Sequence, residues 1–552
     1  MPSLPDQANL DHLKKQAKDL LRLHGSGDPG AIARFGQHLP SAAALPPNEI
    51  AALPLRLHDA QSCLAREYGF VSWPDLTGYV EAQSLARGDQ AARVRSWLTL
   101  VYGGDVTGSY NLARPRVAAH LLRDAPGLLD GDAYAACAAG DEAAVRRAVT
   151  ADPAWVDRPG GALNLPPLVA VTHSRLMQLP EFPDRLRASA RTLLQAGADP
   201  NQTIGNRFPP ASLAAPDEGA RLSALYGAAG VNRDPAMTQL LLEAGADPND
   251  GESLYHSLEN PDCTRLLLQH GARVTGTNAL GRALDMPEPA ALELLLANGG
   301  DANEVGSGAM RVWGSPLLRA IAVRRSAAPV QALLAAGADP SARTPDGISA
   351  YRLALQVGLP ETAELLRAAG AAEKLSEDEQ FVAACARADA VEARRTQAAR
   401  PDLPASLTPP QLRLLPDTVA WGSVAAARLM VELGWPIAVR GGDWDATALN
   451  LAVLRGDADL TAFLLAHGAS WREGHGYGDD VLGALSWTSV NEPVPDGNWA
   501  GCARALLCHG LPKVEPDPTN PERVVIDGRP ARFSPEVTEV LLGTEDARPD
   551  AG

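Results

Sequence analysis

Apolar residues recur along most of the chain in short helical runs, each closed by a glycine and then by polar turn residues. A leucine pair or triplet stands a few residues before the glycine, and Ala-Asp-Pro-Asn or a decayed form follows it. Clear copies are LLQAGADPN at Leu193–Asn201, LLLEAGADPN at Leu240–Asn249, LLLANGGDAN at Leu294–Asn303 and LLAAGADP at Leu333–Pro340. Glycine adopts a left-handed backbone after a helix more readily than other residues. The pattern therefore predicts a helix end at each phrase and a turn after it.

The closing glycines are spaced at a roughly regular interval. They are Gly197, Gly245, Gly271, Gly299, Gly337, Gly370, Gly434, Gly468 and Gly510. Gly337 and Gly370 lie 33 residues apart, several other intervals straddle this length, and the interval from Gly370 to Gly434 is close to twice it. A period of about 33 residues is typical of a unit made of a β-turn and two antiparallel helices. Such units bury their apolar faces by stacking on their neighbours.

A second phrase stands at the start of several units. Its head residues are Ser223 (SALYGAA), Ser253 (SLYHSL), Ser315 (SPLLRAI), Ser349 (SAYRLAL) and Thr447 (TALNLAV). We expect each hydroxyl to cap the first helix of its unit by accepting main-chain N–H groups.

With both phrases in register over roughly residues 130–515, the chain resembles bacterial ankyrin-repeat proteins that carry a small N-terminal helical module. The resemblance implies an all-α ankyrin-repeat solenoid, with β-turn or hairpin fingers between the helix pairs. It also implies a scaffold or adaptor that recognises a protein partner through its concave, finger-lined face. The fold itself hosts many different partners, so the resemblance does not identify this one.

The repeat pattern also suggests how the chain is divided. AACAAGDEAAVRR at Ala135–Arg147 aligns without gaps to AACARADAVEARR at Ala383–Arg395, as if each opened a separate array. We therefore expect an N-terminal helical module at 1–85, bridging helices at 86–130, repeat arrays at 131–372 and 376–512, and a C-terminal cap with a loose acidic tail at 513–552. Residues 201–221 and 304–315 are long enough to form extended fingers, and long loops in a regular array are often functional.

Charge and composition narrow the partners and the compartment. The formal net charge is −17, so a nucleic-acid partner is disfavoured. No apolar run is long enough to span a bilayer, and the first residues lack the apolar core of a secretory signal. The six cysteines are scattered, which favours reduced, buried side chains. A cytoplasmic protein with no membrane partner is expected.

Catalytic and cofactor motifs are missing from the sequence. It contains no HExxH, no P-loop, no GxSxG and no GxGxxG after a strand. Cys502, Cys508 and His509 lie close together, but their spacing matches no common zinc pattern. We therefore expect no enzyme activity, no cofactor and no metal site.

Aromatic and acidic residues concentrate in residues 421–501, largely between the predicted helices. Loops on a rigid scaffold often carry binding residues, and Trp and Tyr are common interface anchors. The candidate binding residues are Asp443, Trp444, Asp445, His475, Tyr477, Asp479 and Trp499. An alternative for this region is core packing, with Trp435 in place of the usual alanine and Trp487 facing the helix stack.

Two functions remain open for this region. The first is protein binding by the repeat surface. The second is a small-molecule binder or an unrecognised enzyme with a pocket in residues 443–501. A closed pocket that holds His475 beside a carboxylate would favour the second function, whereas an open aromatic groove would favour the first.

Overall fold

A computed structural model describes residues 4, 8–85, 89–110, 112–306, 314–442, 444–491, 496–518, 520 and 523–543. Helices account for 55% of the residues and strands for 5%, so the chain is mostly helical, as the repeat pattern predicts. By their internal contacts the residues form two compact units, Met1–Ala283 with Ala290–Gly300 and Leu284–Pro289 with Asp301–Gly552. The domain boundaries expected from the sequence stay predictions.

The helices of the first unit are α1 Leu10–Gly25, α2 Pro29–His38, α3 Pro47–Ala51, α4 Leu57–Glu67, α5 Trp73–Leu85, α6 Gln90–Val101, α7 Gly104–Thr107, α8 Pro115–Asp124, α9 Ala133–Ala139, α10 Glu142–Ala151, α11 Pro167–Thr172, α12 Pro183–Gln195, α13 Ala224–Tyr226, α14 Pro235–Glu243, α15 Ser253–His256, α16 Pro261–Gln269, α17 Ala279–Ala283 and α18 Ala290–Ala297. Short 3₁₀ turns at Pro153–Asp157 and Arg175–Gln178 and a π turn at Gly227–Val231 lie among them.

The helices of the second unit are α19 Pro316–Ala322, α20 Ala327–Ala335, α21 Ala350–Gln356, α22 Pro360–Ala368, α23 Glu377–Ala386, α24 Ala390–Ala399, α25 Pro409–Leu412, α26 Leu414–Ala420, α27 Val424–Glu432, α28 Ala448–Leu454, α29 Ala458–Ala466, α30 Val481–Asn491, α31 Trp499–Cys508 and α32 Pro535–Leu542.

The predicted helix ends are confirmed at all nine closing glycines. Each has a positive φ between 85° and 97°. In each case the N–H after the glycine donates to a carbonyl five residues earlier, as from Ala198 to Leu193 (3.0 Å) and from Ala469 to Leu464 (3.1 Å). This bond satisfies a carbonyl that the end of the helix would otherwise leave unpaired.

The predicted helix starts are confirmed in part. Ser223, Ser349 and Thr447 cap their helices by accepting from the N–H three residues on. The prediction is wrong for Ser253, because the carboxylate of Asp250 accepts from the Ser253 N–H instead, at 2.8 Å. It is also wrong for Ser315, whose buried hydroxyl makes no hydrogen bond within the described residues.

Within each unit, the helices pack on the helices two positions along the chain. In the first unit α10, α12, α14 and α16 contact one another in sequence, and α9, α11, α13, α15 and α17 do the same. In the second unit α26, α28 and α30 form one such row and α27, α29 and α31 the other. In the second unit, the buried apolar side chains form one continuous core. It includes Phe381, Met430, Leu464 and Leu506. No pair could bury its apolar face alone.

Asparagine side chains join successive turns along the stack. The Asn249 amide donates to the Gly271 carbonyl at 3.2 Å, while its side-chain oxygen accepts from the Arg273 N–H at 2.9 Å. Asn201 and Asn303 make the same two bonds to the turn of the next repeat. The asparagine that ends the repeated phrase therefore fixes the register between neighbouring units.

Replacing Asn249 by alanine is expected to lower the free energy of unfolding of the first unit by about 1–2 kcal/mol, because two hydrogen bonds between turns are lost. Hydrogen exchange at the Arg273 N–H should become faster. Asn249→Asp keeps the acceptor and loses the donor, so its effect should be smaller. Unchanged exchange at Arg273 in Asn249→Ala would show that the bond does not hold the turn.

Short strands form the fingers and a C-terminal sheet. β1 (Thr203–Asn206) pairs antiparallel with β2 (Asp217–Ser223), so the long segment 201–221 does form a hairpin finger. β3 (Arg440–Gly441) and β4 (Ala446–Thr447) form a smaller finger. β5 (Val514–Pro516), β6 (Val524–Ile526) and β7 (Arg529–Ala531) form an antiparallel sheet before α32. The sequence at Ala531–Gly543 predicts one capping helix or a strand-helix unit, and α32 lies in it; the three-stranded sheet is not predicted by the sequence. The other predicted finger, 304–315, lies partly outside the described residues.

The long finger packs on the segment that precedes the repeats. Arg207 donates three hydrogen bonds from its guanidinium to the carbonyls of Val106, Leu163 and Asn164. At the tip, the rings of Phe208 and Tyr110 make an edge contact, with centroids 5.6 Å apart. Within the first unit, this finger therefore joins the segment around Val106 to the loop at residues 163–164.

Two simpler expectations can also be compared with the structure. None of the six cysteines forms a disulfide bond, and five are buried, but Cys508 is exposed, contrary to the expectation for that residue. Among the described helices, none combines the length and the apolar character that crossing a bilayer requires.

Candidate binding cleft

A cleft of about 920 Å³ opens in the second unit between α30, the β6–β7 hairpin and two segments that connect helices. One segment is the turn between β3 and β4, which supplies Trp444. The other is the loop between α29 and α30, which supplies His475, Tyr477 and Asp479. The side chains of these segments face α30, and Trp487 extends from that helix into the same space.

The loop at residues 475–479 is fixed by its own main-chain bonds. The His475 N–H donates to the Asp479 carbonyl at 2.9 Å, and the Gly478 N–H donates to the His475 carbonyl at 3.0 Å. The Gly476 N–H donates to the Trp444 carbonyl at 2.8 Å, which ties the loop to the β3–β4 turn. A Cβ at position 476 would lie 2.9 Å from that carbonyl oxygen, so the close approach requires glycine.

Three aromatic rings pack edge to face on this side of the cleft. The ring centroids of Trp444 and Tyr477 are 5.2 Å apart, and the His475 centroid is 6.1 Å from each. Edge-to-face packing is the favoured geometry for aromatic pairs. His475 is buried, at 7% exposure, while Tyr477 is 73% exposed. The buried ring therefore supports an exposed one.

His475 has a defined hydrogen-bond role. The Tyr477 N–H donates to His475 Nδ1 at 3.3 Å, so a neutral imidazole carries its proton on Nε2. In the described part of the chain, no carboxylate oxygen lies within ion-pair distance of this ring. A closed pocket with a carboxylate beside His475, the arrangement that would favour the second function, is not present among the described residues.

The start of α30 joins the cleft to the C-terminal sheet. Asp480 caps the helix by accepting from the N–H groups of Leu482 (3.0 Å) and Gly483 (3.3 Å). Its other oxygen accepts from Arg529 in a short ion pair, and Asp479 lies 3.7 Å from the same guanidinium. The hydrogen bond from Arg529 to Asp480 raises the pKa of Arg529. Both carboxylates are therefore engaged, which leaves neither as a free general base.

The hairpin closes the opposite side of the cleft. β6 and β7 are joined by Asp527 (φ 51°) and Gly528 (φ 76°), a two-residue turn with both φ values positive. The Ser486 hydroxyl of α30 donates to the Arg532 carbonyl at 2.6 Å and holds the hairpin against the helix. Arg523, Arg529 and Arg532 and the apolar Ile526 and Pro530 line this side.

Four of the seven predicted residues come together in the cleft: Trp444, His475, Tyr477 and Asp479. Asp445 does not line it, and instead forms an ion pair with Arg440 at 2.8 Å. Trp499 is buried at 7% exposure in the helix core, where its ring N–H donates to the Val453 carbonyl at 3.1 Å. Asp443 lies outside the described residues.

Sequence reasoning missed several lining residues. Under the core-packing alternative, Trp487 would face the helix stack, but it is 49% exposed and lines the cleft, whereas Trp435 is in the core as that alternative predicts. The three arginines at the hairpin are not predicted by the sequence, because residues 515–552 are rich in Pro, Asp and Glu and carry no repeated phrase. The Asp-Gly pair at 527–528 between apolar residues is a recognised hairpin pattern and could have revealed them.

Within the described residues, no three His, Cys, Asp or Glu side chains are grouped so as to hold a metal ion. Of the residues considered for a metal, Cys502 is buried and its thiol contacts the Thr461 hydroxyl at 3.5 Å, while Cys508 is exposed.

Comparison with known proteins yields little for this chain. No protein-family model matches the sequence, and no curated protein matches it. Among solved structures, the chain is similar to the human ASB11 ankyrin repeat domain, with 22% sequence identity, a TM-score of 0.20, and coverage of 42% of this chain and 98% of that one. A similarity of this size supports no statement about the fold or the function.

Proposed function

We propose that this chain is an ankyrin-repeat scaffold that binds a segment of a protein partner in the cleft between α30 and the β6–β7 hairpin. The observation that carries the proposal is the convergence of exposed aromatic side chains and arginines in one open cleft on a stack of helix pairs. Trp, Tyr and Arg are the residue types that dominate binding energy at protein interfaces.

The repeat architecture supports the same proposal. Nine left-handed glycine turns and the asparagine bonds between units are what an ankyrin-type solenoid requires of its sequence. Rigid helix pairs hold the connecting segments in place, so their side chains are ordered before a partner arrives. Such pre-organisation reduces the conformational entropy lost on binding. The wider concave face, a cytoplasmic location and a bacterial source remain predictions from the sequence.

The proposal can be tested by peptide display against the purified full chain. Selection from a random peptide library should yield clones that bind the wild type. Trp487→Ala should lower the affinity of the chain for synthetic peptides from these clones by about thirtyfold, because a central tryptophan anchor contributes about 2 kcal/mol to binding. Trp487 is half-exposed, so thermal unfolding should hardly change.

Val391→Ala is the matched control, because Val391 is 81% exposed on α24 and does not line the cleft. It should leave peptide binding unaltered. Selected peptides that bind Trp487→Ala as tightly as the wild type would refute the cleft as the binding site.

A small-molecule ligand is the second candidate, because a cleft of about 920 Å³ lies within the range of about 300–1,000 Å³ typical of ligand pockets. The same selection separates the two functions. If no displayed peptide binds in a Trp487-dependent manner, the protein-binding proposal fails and the small-molecule alternative is favoured.

A further inference from the structure

The charge that lines the cleft is opposite in sign to that of the chain. The whole chain has a formal net charge of −17. Three arginines, Arg523, Arg529 and Arg532, line the hairpin side of the cleft, against Asp479 in the lining and Asp480, which pairs with Arg529 at the start of α30. A cleft with one sign of charge attracts a ligand of the other sign and excludes ligands that share its own.

The carboxylates beside the cleft are already paired, whereas, among the described residues, the guanidinium group of Arg523 is not. Asp479 and Asp480 both lie against Arg529, so a cationic ligand would have to displace that arginine to reach either one. Arg523 is exposed and forms no ion pair with any described residue. An incoming carboxylate therefore finds an available guanidinium, whereas an incoming ammonium group finds its acceptors already paired.

The edge of the sheet does not favour a ligand that adds as a further strand. β7 is an outer strand of the sheet and lines the cleft, and its central residue is Pro530. In the register with β6, Pro530 lies opposite Val525, between two residues that pair with Ile526 and Val524. Its missing N–H therefore falls where the free edge would offer a donor. Side chains, and not main-chain pairing, must then recognise the ligand.

The apolar side of the cleft adds a second requirement. Tyr477 and Trp487 are exposed large rings, and the exposed Pro530 and the half-buried Ala531 line the space across from them. An apolar or aromatic side chain of a ligand can pack between these surfaces, while an arginine at the rim contacts a neighbouring carboxylate. A ligand that meets both requirements carries an apolar side chain and a carboxylate close together. A short peptide motif can do so, whereas an isolated ion cannot.

We propose that the cleft recognises an acidic peptide segment of the partner, in which an apolar anchor packs on Tyr477 and Trp487 and a nearby aspartate or glutamate binds Arg523. This inference rests on the proposed protein-binding function and specifies the chemistry of the partner segment. A segment rich in lysine or arginine is disfavoured at Arg523 by the same charges.

The test uses the peptides selected by display on the full chain. Among clones that depend on Trp487, aspartate and glutamate should be enriched over lysine and arginine. A synthetic peptide from such a clone should bind about two- to fivefold more tightly than its counterpart with asparagine and glutamine in place of the acids. Its affinity should fall as salt concentration rises, because the interacting charges are at the surface.

Charge reversal at the arginine supplies the second measurement. Arg523→Glu should lower the affinity for the acidic peptide by about tenfold. It should leave the affinity for the neutral counterpart nearly unchanged. Arg504→Glu is the matched control, because Arg504 is an exposed residue of α31 outside the cleft and the substitution changes the net charge equally. It should have little effect on either peptide.

The possible failures are distinguishable. Trp487-dependent peptides with no excess of acidic residues, or equal effects of Arg523→Glu and Arg504→Glu, would overturn the acidic-segment inference while the protein-binding proposal stands. The absence of any Trp487-dependent peptide would overturn both.

Discussion

Trp499→Ala is expected to lower the free energy of unfolding of the second unit by about 3–5 kcal/mol, the range for truncating a large aromatic side chain in a core. The ring is 7% exposed and packs among the α28–α31 helices, so its removal leaves a cavity. The Val453 carbonyl also loses its hydrogen bond from the ring N–H. Urea denaturation followed by far-UV circular dichroism should show the loss as an unfolding midpoint at a lower urea concentration.

Trp487→Ala serves as the comparison, because it removes the same side chain from a site that is 49% exposed. Its stability should change by less than about 1 kcal/mol, since surface substitutions rarely exceed this amount. Equal stability losses for the two variants would contradict the assignment of Trp499 to the core and Trp487 to the cleft.

The second large effect is expected at Gly456, where replacement by alanine should destabilise the second unit by about 3 kcal/mol or more. Gly456 has a φ of 67°, which disfavours any side chain. A Cβ there would also lie 2.7 Å from the Gly497 Cα and 2.9 Å from the Asn498 nitrogen. The Asn498 N–H donates to the Gly456 carbonyl at 2.8 Å, so the two segments cannot separate without breaking that bond.

Gly468→Ala isolates the cost of the backbone conformation alone. Gly468 has a φ of 97°, and no atom lies within 4 Å of the position a Cβ would occupy. The expected loss is about 1–2 kcal/mol, the cost of a left-handed backbone for an L-residue. The difference between the stability losses of the two variants, measured by chemical denaturation, gives the cost of crowding the backbone at Gly497 and Asn498. A loss at Gly468 as large as that at Gly456 would exclude crowding as the cause.

Sequence was most informative about the repeated helix ends, because a local rule governs them. A helix end at Gly337 or Gly468 needs only a left-handed residue and a carbonyl to satisfy, and both are encoded within a few positions. The C-terminal sheet escaped prediction because its strands are three residues long and stand among Pro, Asp and Glu. A strand that short has too few residues for an alternating pattern to be visible.

The candidate cleft was only partly predictable, for a different reason. Trp444 and Tyr477 lie in segments between helices, where side chains are free to face solvent. Their position in the sequence therefore indicated that they could line a binding site. Trp499 and Trp487 both lie in helices, α31 and α30, whose residues are apolar on most sides. In such helices the residue type does not reveal which face is covered, because that depends on neighbours distant in the sequence.

The attachment of the β6–β7 hairpin has an evolutionary consequence. It is held to α30 by the Ser486–Arg532 hydrogen bond and by the ion pairs of Arg529, while the helix pairs are joined by bonds of their own. Mutational drift in the exposed positions of the hairpin can therefore alter which molecules the protein captures without disturbing the repeats. Grafting a hairpin of different charge onto the same anchoring residues would be a direct route to a redesigned specificity.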